Sequence, residues 1–377
     1  MKFIPYGLQW IEQEDIDEVI SVLQSDWITT GPMIKEFEDA LCEYIGCKYC
    51  VAVNSGTSAL DIAVQSLGLP VDSEVITTPF TFVGTSNAIL YNNLEPVFAD
   101  ICRDTFNIDP EDIRKKITAK TKAIIYVDYA GHPCDIKEIK EIADEYDLFL
   151  IEDACHAIGA EYQDIKVGNF ADLTIFSFHP VKHITTGEGG AVATNNKELY
   201  EKISLLRTHG IDKNTMERYG KDASWAYDMK YLGRNYRITD FQAALGKSQL
   251  KKLNRFIDRR NELASMYNKL LANIGFIRLP IVKSNIRHAW HIYTILLEKS
   301  INRDDFFKYM KNANIGVNVH YIPVYRHSYY IENLNFNKND FPVTEDIFKR
   351  IITLPLFPRM ENDSLEYIAE TIRKYRI

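Results

Sequence analysis

Lys182 is the side chain in this sequence that most invites chemistry as a nucleophilic amine. It lies in Ser177-Phe178-His179-Pro180-Val181-Lys182-His183-Ile184-Thr185-Thr186-Gly187-Glu188-Gly189-Gly190, a glycine-flanked turn just after an apolar run. Leu173 to Phe178 reads as a short buried strand, and Glu188 to Thr194 as a turn leading into the next one. A lysine on a loop fixed at both ends can carry a carbonyl cofactor through its amine. Most lysines are only solvated, so this reading depends on the neighbours.

Two further groups supply them. Leu148-Phe149-Leu150-Ile151-Glu152-Asp153-Ala154-Cys155-His156-Ala157 is an apolar run ending in acids, and acids at the carboxyl ends of parallel strands face the binding crevice of open α/β sheets. A carboxylate shielded from water beside a ring nitrogen keeps that nitrogen protonated. Pyridoxal phosphate needs such a partner together with its lysine. Asp153 could equally cap the turn that follows it. In Val51-Ala52-Val53-Asn54-Ser55-Gly56-Thr57-Ser58-Ala59-Leu60-Asp61-Ile62-Ala63 a strand meets a Ser/Gly/Thr turn and an amphipathic helix. Free N–H groups and hydroxyls at a helix N-terminus form an anion site. Asn54, Ser55, Thr57 and Ser58 exceed what one cap requires, although such clusters are often caps alone.

In this order and spacing the three groups resemble the DegT/DnrJ/StrS family of nucleotide-sugar aminotransferases, which belong to the fold type I pyridoxal phosphate enzymes. The resemblance runs nearly end to end, from Trp27-Ile28-Thr29-Thr30-Gly31-Pro32 through Thr78-Pro79-Phe80-Thr81-Phe82-Val83-Gly84-Thr85 and Arg207-Thr208-His209-Gly210. It continues in Gly233-Arg234-Asn235-Tyr236-Arg237-Ile238-Thr239-Asp240, Val319-His320-Tyr321-Ile322-Pro323 and Leu354-Pro355-Leu356-Phe357-Pro358.

By motif position the resemblance implies that Lys182 bonds to pyridoxal 5'-phosphate and moves a proton between substrate and cofactor carbons. Asp153 would pair with the ring nitrogen, His156 would lie near the phenolic oxygen, and Phe82 would stack on the ring. Thr57, Ser58 and Ser177 would hold the phosphate. Asn235 would reach that phosphate from a neighbouring subunit, so the expected enzyme is a homodimer with shared active sites. Arg237, His320 and Tyr321 are candidates for substrate contact. Each has a plainer alternative: Phe82 as core, His156 and His320 as satisfied buried histidines, Ser177 bonding its own backbone, Asn235 as a turn residue.

One branch of the family has histidine at the lysine position and performs dehydration. Here that position is Lys182, with His183 one place beyond, so transamination is expected, with glutamate as donor and a keto-sugar nucleotide as acceptor. Lys122-Ala123-Ile124-Ile125-Tyr126-Val127-Asp128-Tyr129-Ala130-Gly131 is similar to the branch that aminates C4 of UDP-linked 4-keto-6-deoxy-N-acetylhexosamines, precursors of pseudaminic acid and related bacterial glycans. Branches acting at C3, or on dTDP or GDP sugars, stay open. A nicotinamide-dependent dehydrogenase should show a Gly-x-Gly-x-x-Gly turn, which Asn54 to Ser58 does not provide. A regulator that keeps the fold without catalysis is the remaining alternative.

Composition agrees. The 377 residues, 46% of them apolar, suffice for a large domain and a smaller one. A net charge of −8 argues against a nucleic-acid partner. No apolar stretch is long enough to span a bilayer, and Met1-Lys2-Phe3-Ile4-Pro5 lacks a signal-peptide core, so a cytoplasmic protein is expected. The six cysteines are too sparse for a disulfide framework, and Cys42, Cys47 and Cys50 lack the partners of a zinc site. Free thiols and no metal are expected.

The elements that must position Lys182, Asp153 and the Ser/Thr turn follow from periodicity. Strand-like runs alternate with helical segments from about Cys50 to Thr194, the pattern of a mostly parallel, helix-covered α/β sheet. Glu74 to Thr78, Glu95 to Asp100, Lys122 to Val127 and Leu148 to Asp153 are the clearest strands. Asp109-Pro110 signals a helix start, and Ile136, Ile139, Ile142 and Ala143 mark the buried stripe of a surface helix. Ile238 to about Ile274 reads as long and helical and contains the boundary between a cofactor domain over 1–250 and a small α+β domain over 251–377. In the latter, His291 to Leu297 and Gly316 to Tyr321 read as strands, and Asp304 to Asn314 and Ser364 to Tyr375 as helices. Asp212 to Ser224 reads as a polar loop near the substrate.

Overall fold

The computed structural model describes residues 2–212 and 225–375. Seven strands form the main sheet: β1 (Tyr49–Val53), β2 (Glu74–Thr77), β3 (Glu95–Phe98), β4 (Thr121–Val127), β5 (Phe149–Asp153), β6 (Leu173–Ser177) and β7 (Gly190–Thr194). Their order is β1-β7-β6-β5-β4-β2-β3. Every neighbouring pair from β3 to β6 is parallel, and only β7 runs against its neighbours. Every residue of β6 and β7 is buried, as expected of central strands covered on both faces.

Local chemistry sets the covering helices. Gly56–Leu67 starts at Ser55, whose side chain accepts the Ser58 N–H, and stops at Gly68, whose φ of 64° is readily reached without a side chain. Ile136–Tyr146 buries Ile136, Ile139, Ile142 and Ala143, the stripe its spacing predicts. Pro110–Lys116 begins with the Asp109 cap and a first-turn proline.

The long helical stretch is two helices, Asp240–Leu250 and Leu253–Leu271. Leu253, Phe256 and Ile257 of the second pack into the core beneath β1, β6 and β7. Leu263, Ala264, Tyr267 and Leu271 enter the core of a small antiparallel sheet made of β8 (Ile277–Arg278), β9 (Tyr293–Leu297) and β10 (Ile351–Leu354). Ile4 joins that second core from the far end of the chain.

Two expectations need correction or fall outside. Gly316 to Tyr321 is not a strand: Asn318 alone bridges to Thr353. The Asn318 side chain takes the Val319 N–H at 2.8 Å, drawing it out of a ladder. The polar loop expected over Asp212 to Ser224 lies, beyond Asp212, outside the described residues. All six cysteines are free thiols.

Candidate active site

The connection between β6 and β7 carries Lys182, and its backbone is pinned from both sides. Phe178 N–H donates to the Gly189 carbonyl at 2.9 Å, Thr186 N–H to the Phe178 carbonyl at 3.0 Å, and Lys182 N–H to the His179 carbonyl at 2.9 Å. Thr185 Oγ1 also donates to the Phe178 carbonyl at 3.0 Å. Lys182 lines a cavity of about 620 Å³ at the carboxyl edge of the parallel strands, where ligands of such sheets bind. Burial lowers the pKa of the amine, against the opposing pull of Cys155 and Asp153. More of it is therefore neutral, and nucleophilic, at a given pH.

Asp153 ends β5 and is 4% exposed. Its Oδ2 accepts from Thr85 Oγ1 at 2.7 Å and its Oδ1 from the Cys155 N–H at 3.2 Å. Both readings of this residue therefore hold: one oxygen caps the turn while the carboxylate lines the cavity. Those two hydrogen bonds come from a hydroxyl and a backbone N–H, and the Lys182 charge acts on it only from a distance, an arrangement that a protonated ring nitrogen would complete.

His156 lies on the next turn, with Nε2 2.9 Å from the Tyr321 hydroxyl and its ring 4.3 Å from that of His291. Burial, helped by Lys182, holds the His156 pKa well below the usual imidazole range. Burial holds Tyr321 well above the usual phenol range. Tyr321 thus donates and Nε2 accepts, leaving the imidazole proton on Nδ1, a buried atom with no partner. His320 places Nδ1 2.9 Å from Thr353 Oγ1. Its pKa is pushed down to about 3, first by burial and then by Lys182, so it is neutral.

The opposite end of the cavity is a cradle of Ser55, Gly56, Thr57 and Ser177 around the start of Gly56–Leu67. A Cβ at Gly56 would stand 3.0 Å from Ser177 Cβ, and one at Gly190 only 2.5 Å from the Ser55 carbonyl oxygen. Close packing of backbone on backbone shapes the cradle. Phe82 is 58% exposed on the rim, whereas Phe80, two residues earlier, is core. Together these residues fit pyridoxal phosphate: N–H groups and hydroxyls for the phosphate, a buried carboxylate for the ring nitrogen, an aromatic face, and the lysine between them.

The structure brings together Lys182, Asp153, His156, Thr57, Ser177, Phe82, His320 and Tyr321. Three expected residues stand apart. Ser58 does not line the cavity; its hydroxyl donates to Asn54 Oδ1 at 2.6 Å, one helical turn back, and Ser55 takes its place. Asn235 and Arg237 do not line the cavity of their own chain. Ser55, Thr85, Cys155, His291 and Tyr6 line it but were not singled out as cofactor or substrate contacts. The first three sit inside motifs already quoted and were within reach; Tyr6 and His291 come from distant segments with no local sign.

Comparison with known proteins agrees with this geometry. The profile of the DegT/DnrJ/EryC1/StrS aminotransferase family matches residues 9–373. A UDP-4-amino-4,6-dideoxy-N-acetyl-beta-L-altrosamine transaminase of Campylobacter jejuni is 40% identical over 374 residues, covering 98% of this chain and 96% of the relative. Among solved structures, Helicobacter pylori PseC, an aminotransferase of pseudoaminic acid biosynthesis, superposes with a TM-score of 0.93 at 35% identity over 99% of both chains. The PLP form of a putative sugar aminotransferase from Streptococcus pneumoniae gives 0.92 at 30% identity, over 98% of this chain and 97% of that one.

Proposed function

The chain belongs to the DegT/DnrJ/EryC1/StrS aminotransferase family, and from that premise we propose that it aminates C4 of a UDP-linked 4-keto-6-deoxy-N-acetylhexosamine, with glutamate as donor. Its class is a pyridoxal phosphate-dependent sugar aminotransferase. The C4 and UDP assignment is supported by the name of the Campylobacter relative and by the likeness to PseC.

The observation that carries the reading is the Lys182 amine, its pKa lowered by burial, lining one cavity with Asp153 and the phosphate cradle. When bound, pyridoxal phosphate supplies a reactive carbonyl and an electron sink. Lys182 would hold it, would carry a proton away from the donor carbon that loses nitrogen, and would deliver one to the sugar carbon that gains it. Asp153, held by Thr85, keeps the ring nitrogen protonated. Thr57, Ser55, Ser177 and the helix N-terminus would hold the phosphate, and Phe82 would cover one ring face. His156, held by Tyr321, would meet the ring's oxygen edge, and His320 and Tyr321 would border the sugar.

The working enzyme is a homodimer. Lys182 is the only lysine or arginine among the described lining residues, so a diphosphate needs cations from elsewhere. Arg237 of a second copy supplies one, and Asn235 reaches the cofactor phosphate across the interface. Large apolar side chains left in solvent at Trp27, Ile28 and Leu232 are those that dimerisation would cover.

The test is an absorption spectrum of the holoenzyme with and without glutamate, beside Lys182→Ala, followed by mass spectrometry with candidate keto-sugar nucleotides. A cofactor band that glutamate shifts in the wild type, but that is missing from the variant, supports the reading. Conversion of the bound cofactor to its amine form by glutamate in the variant, at the wild-type rate, refutes the role of Lys182. Amination of a dTDP sugar in preference to the UDP 4-keto sugar refutes the substrate.

A further inference from the structure

One carboxylate outside the cavity is tied to the residue expected to cross between subunits. Asp61 lies on the helix Gly56–Leu67, whose first turn forms the phosphate cradle, and is 1% exposed. Its Oδ2 accepts from Tyr236 Oη at 2.7 Å and from Arg234 Nε at 3.2 Å, and its Oδ1 from Asn92 Nδ2 at 3.0 Å. One helical turn on, Gln65 Nε2 donates to the Leu232 carbonyl at 2.8 Å.

Arg234 and Tyr236 flank Asn235. With both neighbours turned inward onto one buried carboxylate, the alternation of extended backbone sends Asn235 the other way, and Asn235 is exposed. The main chain is fixed as well. Arg234 N–H donates to the Leu206 carbonyl at 2.8 Å, Tyr236 N–H to the Arg207 carbonyl at 3.0 Å, and Asn54 N–H to the Tyr236 carbonyl at 3.0 Å. Asn54 also accepts the Ser58 hydroxyl, so cradle and outward-facing asparagine are joined through a single residue.

We propose that Asp61 is a positioning residue: by clamping Arg234 and Tyr236 it holds Asn235 out toward the cofactor site of the other subunit. This rests on the reading that Asn235 crosses the interface. A buried carboxylate with three donors is strong enough for the task, because charge-assisted bonds are roughly twice as strong as neutral ones. The same helix then serves two active sites, its own through its N-terminus and its neighbour's through Asp61.

Mixed dimers test the proposal. Two differently tagged chains are co-expressed, and only dimers holding one of each are assayed. Lys182→Ala paired with Asn235→Ala should contain one intact site and give about half the wild-type rate. No recovery there means that Asn235 does not act across the interface, and both the reading and the proposal fall. Lys182→Ala paired with Asp61→Asn should recover equally, because the cradle with the intact lysine receives Asn235 from a chain that keeps Asp61. If the Asn235→Ala pair recovers and the Asp61→Asn pair does not, Asp61 supports its own chain's cradle and the proposal alone is overturned.

Cofactor affinity gives an independent reading. In homodimers Asp61→Asn should weaken pyridoxal phosphate binding on the order of 10-fold, the size that supporting partners of binding residues reach. Adding Asn235→Ala should cost nothing more, since residues acting through one another are non-additive. Full additivity overturns the proposal. Tyr236→Phe removes one of the two ties without a charge change and should show a smaller loss of the same kind. It stands in for Asp61→Asn in every arm if that variant does not fold.

Discussion

Glu152→Gln should remove a pH dependence that the wild-type fold carries on the face of the sheet away from the active site. Glu152 is 0% exposed, as is Asp128. Glu152 Oε2 accepts the Gly168 N–H at 3.0 Å and Thr174 Oγ1 at 2.9 Å. Its Oε1, Asp128 Oδ2 and the Tyr126 hydroxyl make no close hydrogen bond, but Tyr126, in register with Glu152 across β4 and β5, and Asp128 both lie near enough to interact with it. Asp128 Oδ1 accepts the Cys134 N–H at 2.9 Å. Burial pushes the Glu152 carboxyl from 4.5 up to about 7, and burial together with Glu152 drives Asp128 well above its usual range. Tyr126, Cys134 and Asp153 are the other titratable groups facing the pair.

The sign follows from proton binding. A raised acid pKa means that the folded protein holds more protons than the unfolded one, so stability is fully present below 4.5 and is lost as pH rises through about 7. At about 1.4 kcal/mol per tenfold change in proton affinity, the Glu152 shift is worth about 3 kcal/mol. For 377 residues that is about 4 °C in Tm. Glutamine stays neutral, keeps both accepted bonds and offers an N–H to Asp128. The assay is Tm of wild type and Glu152→Gln, each saturated with cofactor, from about pH 5 to about pH 8.5. Relative to the variant, the wild type should lose about 3 °C across that range, because part of the contribution is already gone at about pH 5. A difference that stays flat, or grows in the other direction, refutes the claim that burial holds Glu152 protonated.

Gly190→Ala should damage the cradle without touching a ligand group. Its Cβ would stand 2.7 Å from the Gly56 nitrogen as well as close to the Ser55 carbonyl. Displacing one N–H from a phosphate costs on the order of tenfold in affinity, measurable by titrating apoenzyme with pyridoxal phosphate; unchanged affinity would dissociate the cradle from phosphate binding. Lys182, its amine pKa lowered by burial, should be carbamylated by cyanate faster than exposed lysines at mildly alkaline pH, and be protected by pyridoxal phosphate. Peptide mapping that finds it no faster than lysines on the surface helices would contradict a neutral amine.

Legibility in the sequence followed how local each piece of chemistry is. Lys182, Asp153, Thr57 and Ser177 stand at or just beyond strand ends, and a strand end is written in its own few residues: an apolar run, then glycine, serine or an acid. The sheet was readable for the same reason, since β4 and β5 carry the apolar stretches Ala123 to Val127 and Phe149 to Ile151, and β6 is mostly apolar and buried at every residue. The failures share the opposite cause. Gly316 to Tyr321 alternates like a strand, but whether it pairs depends on β10, some 30 residues later, and on a side-chain bond made by Asn318. Ser58 was expected at the phosphate from its motif position, and the direction of its hydroxyl, toward Asn54, is what keeps it off the cavity lining. Asp61 is the extreme case. Within its helix it is a polar residue amid Leu60, Ile62 and Ala63 and suggests nothing; its donors Arg234 and Tyr236 lie more than 170 residues away in sequence. A buried charge inside an apolar stretch is costly unless paired, so its presence in a sequence predicts a partner without naming it, and only the fold supplies the name.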